Sequence, residues 1–220
     1  MCIHQLIAFI LGLKTSLQTN GKKRILFSLA FSTVFVTALY GLSVLKMAAI
    51  CLVNYMITKS LGRGLLGPII VWLWCILILF ANDAYKGYKY GDVSQHLAWM
   101  DNMNGLGLRW YVTFNFTMLR MVSFSMDYQW QFGLSKTEFD KHKLECRNCH
   151  DLTNGDMCGR GRLIGAHHVS EYNLVNYFAY LLYAPLFLAG PIICFNDFLT
   201  QVILEHLSNY LFYKIFSLFF

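Results

Sequence analysis

The chain has 220 residues, 56% of them hydrophobic and only 14% charged, against about 25% charged in an ordinary soluble domain. With a mean hydropathy of +0.45 and enough length for several crossings of roughly 20 residues each, this composition excludes a water-soluble globule as the expectation. The formal charge of +6 is therefore no nucleic-acid signal; in an apolar chain the informative question is where Lys and Arg fall.

The opening residues, MCIHQLIAFILGLKTSLQTN, lack a basic n-region and a small-residue cleavage site. They read as an interfacial or partly inserted segment, with an uncleaved anchor as the alternative. Residues 25–58 are too long for one untilted span. Gly41 and Lys46 mark a break, which predicts two helices over about 25–41 and 44–59. The next span is 65–82, LLGPIIVWLWCILILFAN, with Pro68 near its start, where proline is tolerated. A polar stretch over 83–107 precedes a helix over 108–130 that carries polar positions. A hydrophilic segment covers 131–170, and two apolar helices, 172–189 and 195–220, close the chain around Gly190-Pro191. No internal repeat is visible. The expected fold class is all-α, a multi-pass transmembrane helical bundle.

Positive charge orients this bundle. Lys22, Lys23 and Arg24 precede the first helix, Lys59 and Arg63 follow the second, and Lys136, Lys141, Lys143, Arg147, Arg160 and Arg162 lie in the hydrophilic segment. A hairpin, one span out and one back place these clusters on one side, which the positive-inside rule makes cytosolic. The 83–107 loop then faces the lumen.

On the 108–130 helix, Arg109, Thr113, Arg120, Ser123 and Asp127 share one face. Such charges cost at least ~2.5 kcal/mol each at mid-membrane, so they are expected to face the bundle interior or a wet cavity. Arg120 either ties neighbouring helices through backbone carbonyls or lines a polar cavity; Asp127 is expected near the interface. In CRNCHDLTNGDMC, the C-x-x-C-H run matches c-type haem attachment, a reading rejected for want of a haem pocket. Cys146, Cys149, Cys158 and His150 are ligand types that zinc accepts. Cys149 and His150 are adjacent, however, and one short loop must supply every ligand. A reduced, solvated loop without metal is the expectation, with zinc the open alternative. His167-His168 reads as a polar patch facing water. No G-x-S-x-G, P-loop or dinucleotide fingerprint occurs.

The stretch YAPLFLAGPIICFNDF interrupts an apolar run with Pro185 and with Gly190-Pro191. Proline removes an intrahelical hydrogen bond, and in hydrocarbon the freed carbonyls need partners from protein or cavity water. Asn196-Asp197 read as a cap for the helix that follows.

Two blocks, RWYVTFNFTMLRMVSFSMDY (109–128) and AHHVSEYNLVNYFAYLLYAPLFLAGPIICFNDF (166–198), resemble the membrane-bound O-acyltransferase family, in the branch of the fungal glycerol-uptake proteins and Hedgehog acyltransferase. FANDAYKGYKYGDV (80–93) is similar less tightly, and the insert with Cys146, Cys149 and Cys158 departs from the fungal pattern. The resemblance implies that residues 1–220 are the N-terminal part of one acyltransferase domain. It implies transfer of an acyl chain from acyl-CoA, as cosubstrate, to a lipid such as a GPI anchor or to another hydroxyl acceptor at the endoplasmic reticulum. No metal or redox cofactor is required for that chemistry. Arg120, Asn115, Asp127, Gly190, Pro191, Asn196 and Asp197 become candidates for lining the substrate channel. The family's catalytic histidine stands in a Trp-His motif well beyond the Gly-Pro-Ile block, and none of the seven histidines here has that context. No catalytic residue is carried over, and 1–220 alone is expected to be inactive. A glycerol-uptake-like transporter and a non-catalytic fragment that binds a full-length relative are the alternatives. Membrane lipids and acyl-CoA are the expected partners.

Overall fold

The computed structural model describes residues 17–61, 64, 66–103, 105–106, 109–132, 134–146, 149, 158–165, 167–189 and 193–203. Among these residues the regular structure is all helix, with no strand. Three helices come first: α1 (Leu17–Tyr40), α2 (Ser43–Leu61) and α3 (Gly67–Tyr85). All three are long and apolar enough to cross a membrane. At 1.5 Å per residue α1 alone reaches about 36 Å, more than a hydrocarbon core of about 30 Å. Leu26, Val34, Leu73, Leu77 and Phe80 point outward and are mostly exposed, as lipid-facing positions are, while Val36, Met47, Cys51 and Val71 are buried between helices.

The break between α1 and α2 falls at Gly41, whose φ of 57° is the left-handed conformation that favours glycine, and whose N–H donates to the Thr37 carbonyl at 2.8 Å. Lys46 is not part of the break. It lies in the first turn of α2, where its ammonium reaches the Tyr88 carbonyl, sits 3.7 Å from the Asp101 carboxylate and lies 3.9 Å over the Tyr90 ring. Local sequence marks Lys46 as a poor residue for an apolar helix; partners more than forty positions away accommodate it there.

Those partners belong to the polar connection after α3. It folds as the short α4 (Tyr90–Val93) and a 3₁₀ helix over Gln95–Asn102. The N–H groups of Tyr90 and Gly91 each donate to Asp101 at 2.9 Å, and the Tyr90 hydroxyl donates to the Leu42 carbonyl at 2.7 Å. The two N–H donors and the nearby Lys46 hold the Asp101 carboxyl below its usual range.

The central element is α5 (Trp110–Trp130), which packs against α2 and α3. The hydrophilic segment contains α6 (Leu134–Glu145) and α7 (Gly159–Ile164), followed by a 3₁₀ turn over Val169–Glu171. The chain then runs through α8 (Leu174–Leu182), α9 (Ala184–Ala189) and α10 (Phe195–Ile203). α8 lies against α1 and α5, and α10 contacts α1, α5 and α7. An aromatic core fills the junction. Phe124 meets Tyr177 at 4.5 Å and Phe195 at 4.8 Å between ring centroids, and Tyr172 meets Phe195 at 5.1 Å. Tilted and edge-on pairs at these distances are the favoured aromatic geometries.

Candidate functional site

The polar residues of α5 converge with α8, α9 and α10. The chain leaves helix at Tyr183, between α8 and α9. Pro185 has no N–H, so the Leu181 carbonyl four residues earlier lacks its intrahelical donor. Arg120 replaces that donor: its Nη1 donates to the Leu181 carbonyl at 3.0 Å, its Nη2 donates to Thr117 Oγ1 at 3.3 Å, and its guanidinium lies 5.7 Å from the Phe187 ring centroid. The Ala184 N–H at the same break donates to Ser32 Oγ of α1 at 3.1 Å. These two backbone groups at the break are thus satisfied by side chains from other helices, as a non-aqueous interior demands. Arg120 is only 2% exposed.

One helical turn and more away, Asp127 meets the start of α10. It is buried, and its Oδ2 accepts from the Asn196 N–H at 3.1 Å, with the Phe195 N–H as a second donor. A carboxylate there satisfies free N–H groups and complements the positive end of the helix dipole. The cap of α10 therefore comes from Asp127 and not from Asn196-Asp197, which lie inside the first turn because the helix already begins at Phe195. Their side chains turn elsewhere. Asn196 Oδ1 accepts from the Tyr172 hydroxyl at 2.6 Å, and Asp197 pairs with Arg162 at 2.7 Å.

His167 and His168 separate. His168 is exposed and caps the 3₁₀ turn through Nδ1. His167 is half-buried rather than facing water, with Nε2 at 3.1 Å from the Asn196 carbonyl and 3.0 Å from Thr200 Oγ1. A carbonyl only accepts, so Nε2 carries the proton. Burial pushes this imidazole below its usual range.

Asn115 is half-buried, and its Oδ1 has no hydrogen-bond partner among the described residues; both polar atoms of the fully buried Asn82 on α3 share that condition. Gly190, Pro191 and His150 lie outside the described residues. A second polar line joins α2, α5 and α8: Thr58 Oγ1 and Ser125 Oγ are 2.6 Å apart, Asn54 Nδ2 donates to the Tyr177 hydroxyl at 3.1 Å, and that hydroxyl donates to the Cys51 carbonyl at 3.0 Å. Sequence reasoning misses this line. The available signal is Asn54 and Thr58 four residues apart in an apolar helix, one shared face.

The cysteines of the hydrophilic segment also gather. Cys146 follows α6, Cys149 is fully buried, and Cys158 caps α7 by accepting from the Gly161 N–H at 3.2 Å. Beside them stands His142, a residue absent from the sequence-based ligand set. Its Nε2 is 3.0 Å from Cys158 Sγ and 3.4 Å from Cys149 Sγ. The Gly161 N–H, together with His142 and the neighbouring thiols, draws the Cys158 thiol down to about 6, whereas desolvation pushes Cys149 up.

Comparison with known proteins now places these elements. The profile of the MBOAT, membrane-bound O-acyltransferase, family matches residues 93–219, which takes in α5 to α10. The membrane-bound O-acyltransferase gup1 of Schizosaccharomyces pombe is 37% identical over 180 residues, covering 80% of this chain and 30% of that protein. GUP1 of Saccharomyces cerevisiae is 35% identical over 179 residues, covering 80% and 31%, and GUP1 of Candida tropicalis is 35% identical over 193 residues, covering 86% and 30%. The chain thus spans about 30% of the length of these curated relatives. No solved structure matches. A family profile over more than half of the chain, with relatives of this identity across four-fifths of it, establishes that the chain belongs to the membrane-bound O-acyltransferase family, in its GUP1-like branch.

Proposed function

We propose that the chain contributes the α5–α10 junction of an enzyme that moves an acyl chain from acyl-CoA to a lipid acceptor of the GPI-anchor kind, or to another hydroxyl, in the endoplasmic reticulum membrane. The observation that carries this reading is the family match over 93–219, which runs through every element of the junction. The names of the relatives, all membrane-bound O-acyltransferases, support the reaction class. The unpartnered Asn115 Oδ1 and Asn82 side chain support a polar path beside α5, since buried amides without partners cost about 1–3 kcal/mol each unless water or ligand meets them. In this reading Arg120 and Asp127 hold the broken helix open at depth, and Asn115, Gly190, Pro191, Asn196 and Asp197 border the acyl path. The reaction uses acyl-CoA as cosubstrate, without a metal or redox cofactor.

The general base lies elsewhere in this proposal. His167 is committed to the Asn196 carbonyl, His168 to a turn, and His142 to the cysteine cluster. General-base catalysis is worth ~10²–10⁴-fold. Residues 1–220 are therefore expected to transfer no acyl group above background in microsomes given labelled acyl-CoA. A longer product, in which the C-terminal part of the fission-yeast relative follows residue 220 and supplies the Trp-His motif that the family resemblance implies there, is expected to label the lipid fraction. Robust labelling by 1–220 alone would overturn the assignment of the base, and alanine at His96, His167 and His168 would then locate it. No labelling by either product would overturn the reaction class.

A further inference from the structure

We infer that His142, Cys146, Cys149 and Cys158 form a structural zinc site that staples the hydrophilic segment together beneath the junction. The four ligand atoms all lie within 4.8 Å of one another. A tetrahedral zinc with bonds of about 2.0–2.3 Å needs ligand atoms separated by roughly 3.3–3.8 Å. The observed separations of 3.0 Å for His142–Cys158 and 3.4 Å for both His142–Cys149 and Cys149–Cys158 are near that size.

Local structure explains how the four arrive together. His142 and Cys146 are four residues apart at the end of α6, with the Cys146 N–H donating to the His142 carbonyl at 2.9 Å, so they share one face. The Cys149 N–H donates to the Cys146 carbonyl at 3.1 Å, a tight turn that returns the second thiol to the first. Cys158 enters from the start of α7, and its sulfur accepts the Gly161 N–H, the kind of outer hydrogen bond that orients a metal-bound thiolate. Gly161 leaves room for the set: a Cβ there would stand 2.8 Å from Cys149 Sγ, 3.6 Å from Cys158 Sγ and 3.7 Å from His142 Cδ2. Three Cys and one His are a closed structural zinc set, with no open position for chemistry. In this proposal the fourth ligand is His142; His150 lies outside the described residues.

The site has a mechanical place. It joins α6 to α7, and α7 bears Arg162, whose guanidinium holds Asp197 in the first turn of α10. Zinc would thus brace, from the hydrophilic side, the same helix that Asp127 caps from within. Because three of the four ligands are thiolates, which oxidising compartments turn into disulfides, the site fits a reducing compartment.

The test uses the full chain purified in detergent without chelator. One zinc per chain by elemental analysis is expected, and replacement with cobalt should give tetrahedral d–d absorption with thiolate charge-transfer bands. Cys149→Ser and His142→Ala should each lose most of the metal, His142→Cys should keep it with stronger charge-transfer absorption, and His150→Ala and Cys75→Ser should be unaffected. Metal lost from His150→Ala but kept in His142→Ala would overturn the ligand assignment. A wild-type chain without stoichiometric metal, or with Cys149 and Cys158 found as a disulfide by mass spectrometry, would overturn the site itself.

Discussion

Arg120 shows what a charge inside a membrane bundle is for. Its guanidinium stands in for the N–H that Pro185 lacks, so the broken helix and the buried cation satisfy each other. Neither is stable without the other: an unpaired buried carbonyl costs about 1–3 kcal/mol, and an unpaired buried charge more. Arg120→Leu is therefore expected to lower stability in detergent by about 1–3 kcal/mol, read as an earlier thermal unfolding midpoint. Arg120→Lys, which keeps one donor and the charge, should lose less, and the same order should hold for acyl transfer by the longer product. A leucine variant as stable as the parent would remove Arg120 from this role.

At the scale of elements, α10 is held at its start by α5 and by the residues that flank the 3₁₀ turn, beside the Arg162–Asp197 pair from α7. Asp127 of α5 caps it, Tyr172 binds its Asn196 side chain, and His167 donates to its Asn196 carbonyl. The last contact is pH-sensitive. With the folded imidazole below its usual range, the unfolded chain binds the extra proton between the folded value and about 6.5, so stability rises with pH through that window and is lost as the solution becomes more acidic. The unfolding midpoint of the detergent-solubilised chain should fall on acidification from about pH 7.5 to about pH 5.5. His167→Gln, which offers an N–H without titrating, should flatten that response; an unchanged slope would exclude His167 as its source. Such contacts also mark the limit of what sequence reveals. The positions of α2, α3 and α5 follow from apolar length and from Gly41 and Pro68, because helix formation is local; α1 instead starts at Leu17, well before the expected residue 25, and takes Lys22, Lys23 and Arg24 into its first turns. The periodicity of α5 does point Arg120 and Asp127 inward, whereas Arg109 of the same expected face is exposed and Thr113 and Ser123 are half-buried. That Asp127 caps a helix sixty-nine residues later depends on tertiary packing that no local pattern encodes. His142 is a milder case: its spacing of four from Cys146 is visible, but the turn that brings Cys158 back to both is not.

For the whole molecule, charge and hydropathy lead to one expected orientation. By the positive-inside rule α6 and α7 are expected in the cytosol and the α4 region in the lumen. A glycosylation acceptor inserted near Asn154 is expected to stay unmodified in microsomes, while one near Asn102 should gain a glycan. The opposite pattern would invert the topology and would put the His142–Cys158 cluster in an oxidising lumen, where free thiols tend to become disulfides. The exposed Trp72, Leu73, Ile76, Leu77 and Phe80 on α3 leave a broad apolar face for lipid or for further helices of a longer family member.

The pairing of Arg120 with the Leu181 carbonyl also imposes an order on biosynthesis. The two residues are separated by 61 positions, so at about 5–20 residues per second the arginine leaves the ribosome roughly 3–12 s before its partner exists. During that interval the Arg120 guanidinium lacks its carbonyl partner, and a bare cation is costly among lipid tails. α5 is therefore expected to wait at the translocon or in a hydrated vestibule until α8 and Pro185 arrive, and only then to move sideways into the bilayer. A nascent chain stalled before residue 181 should accordingly be easier to extract, and more exposed to quality-control proteases, than one that has passed it.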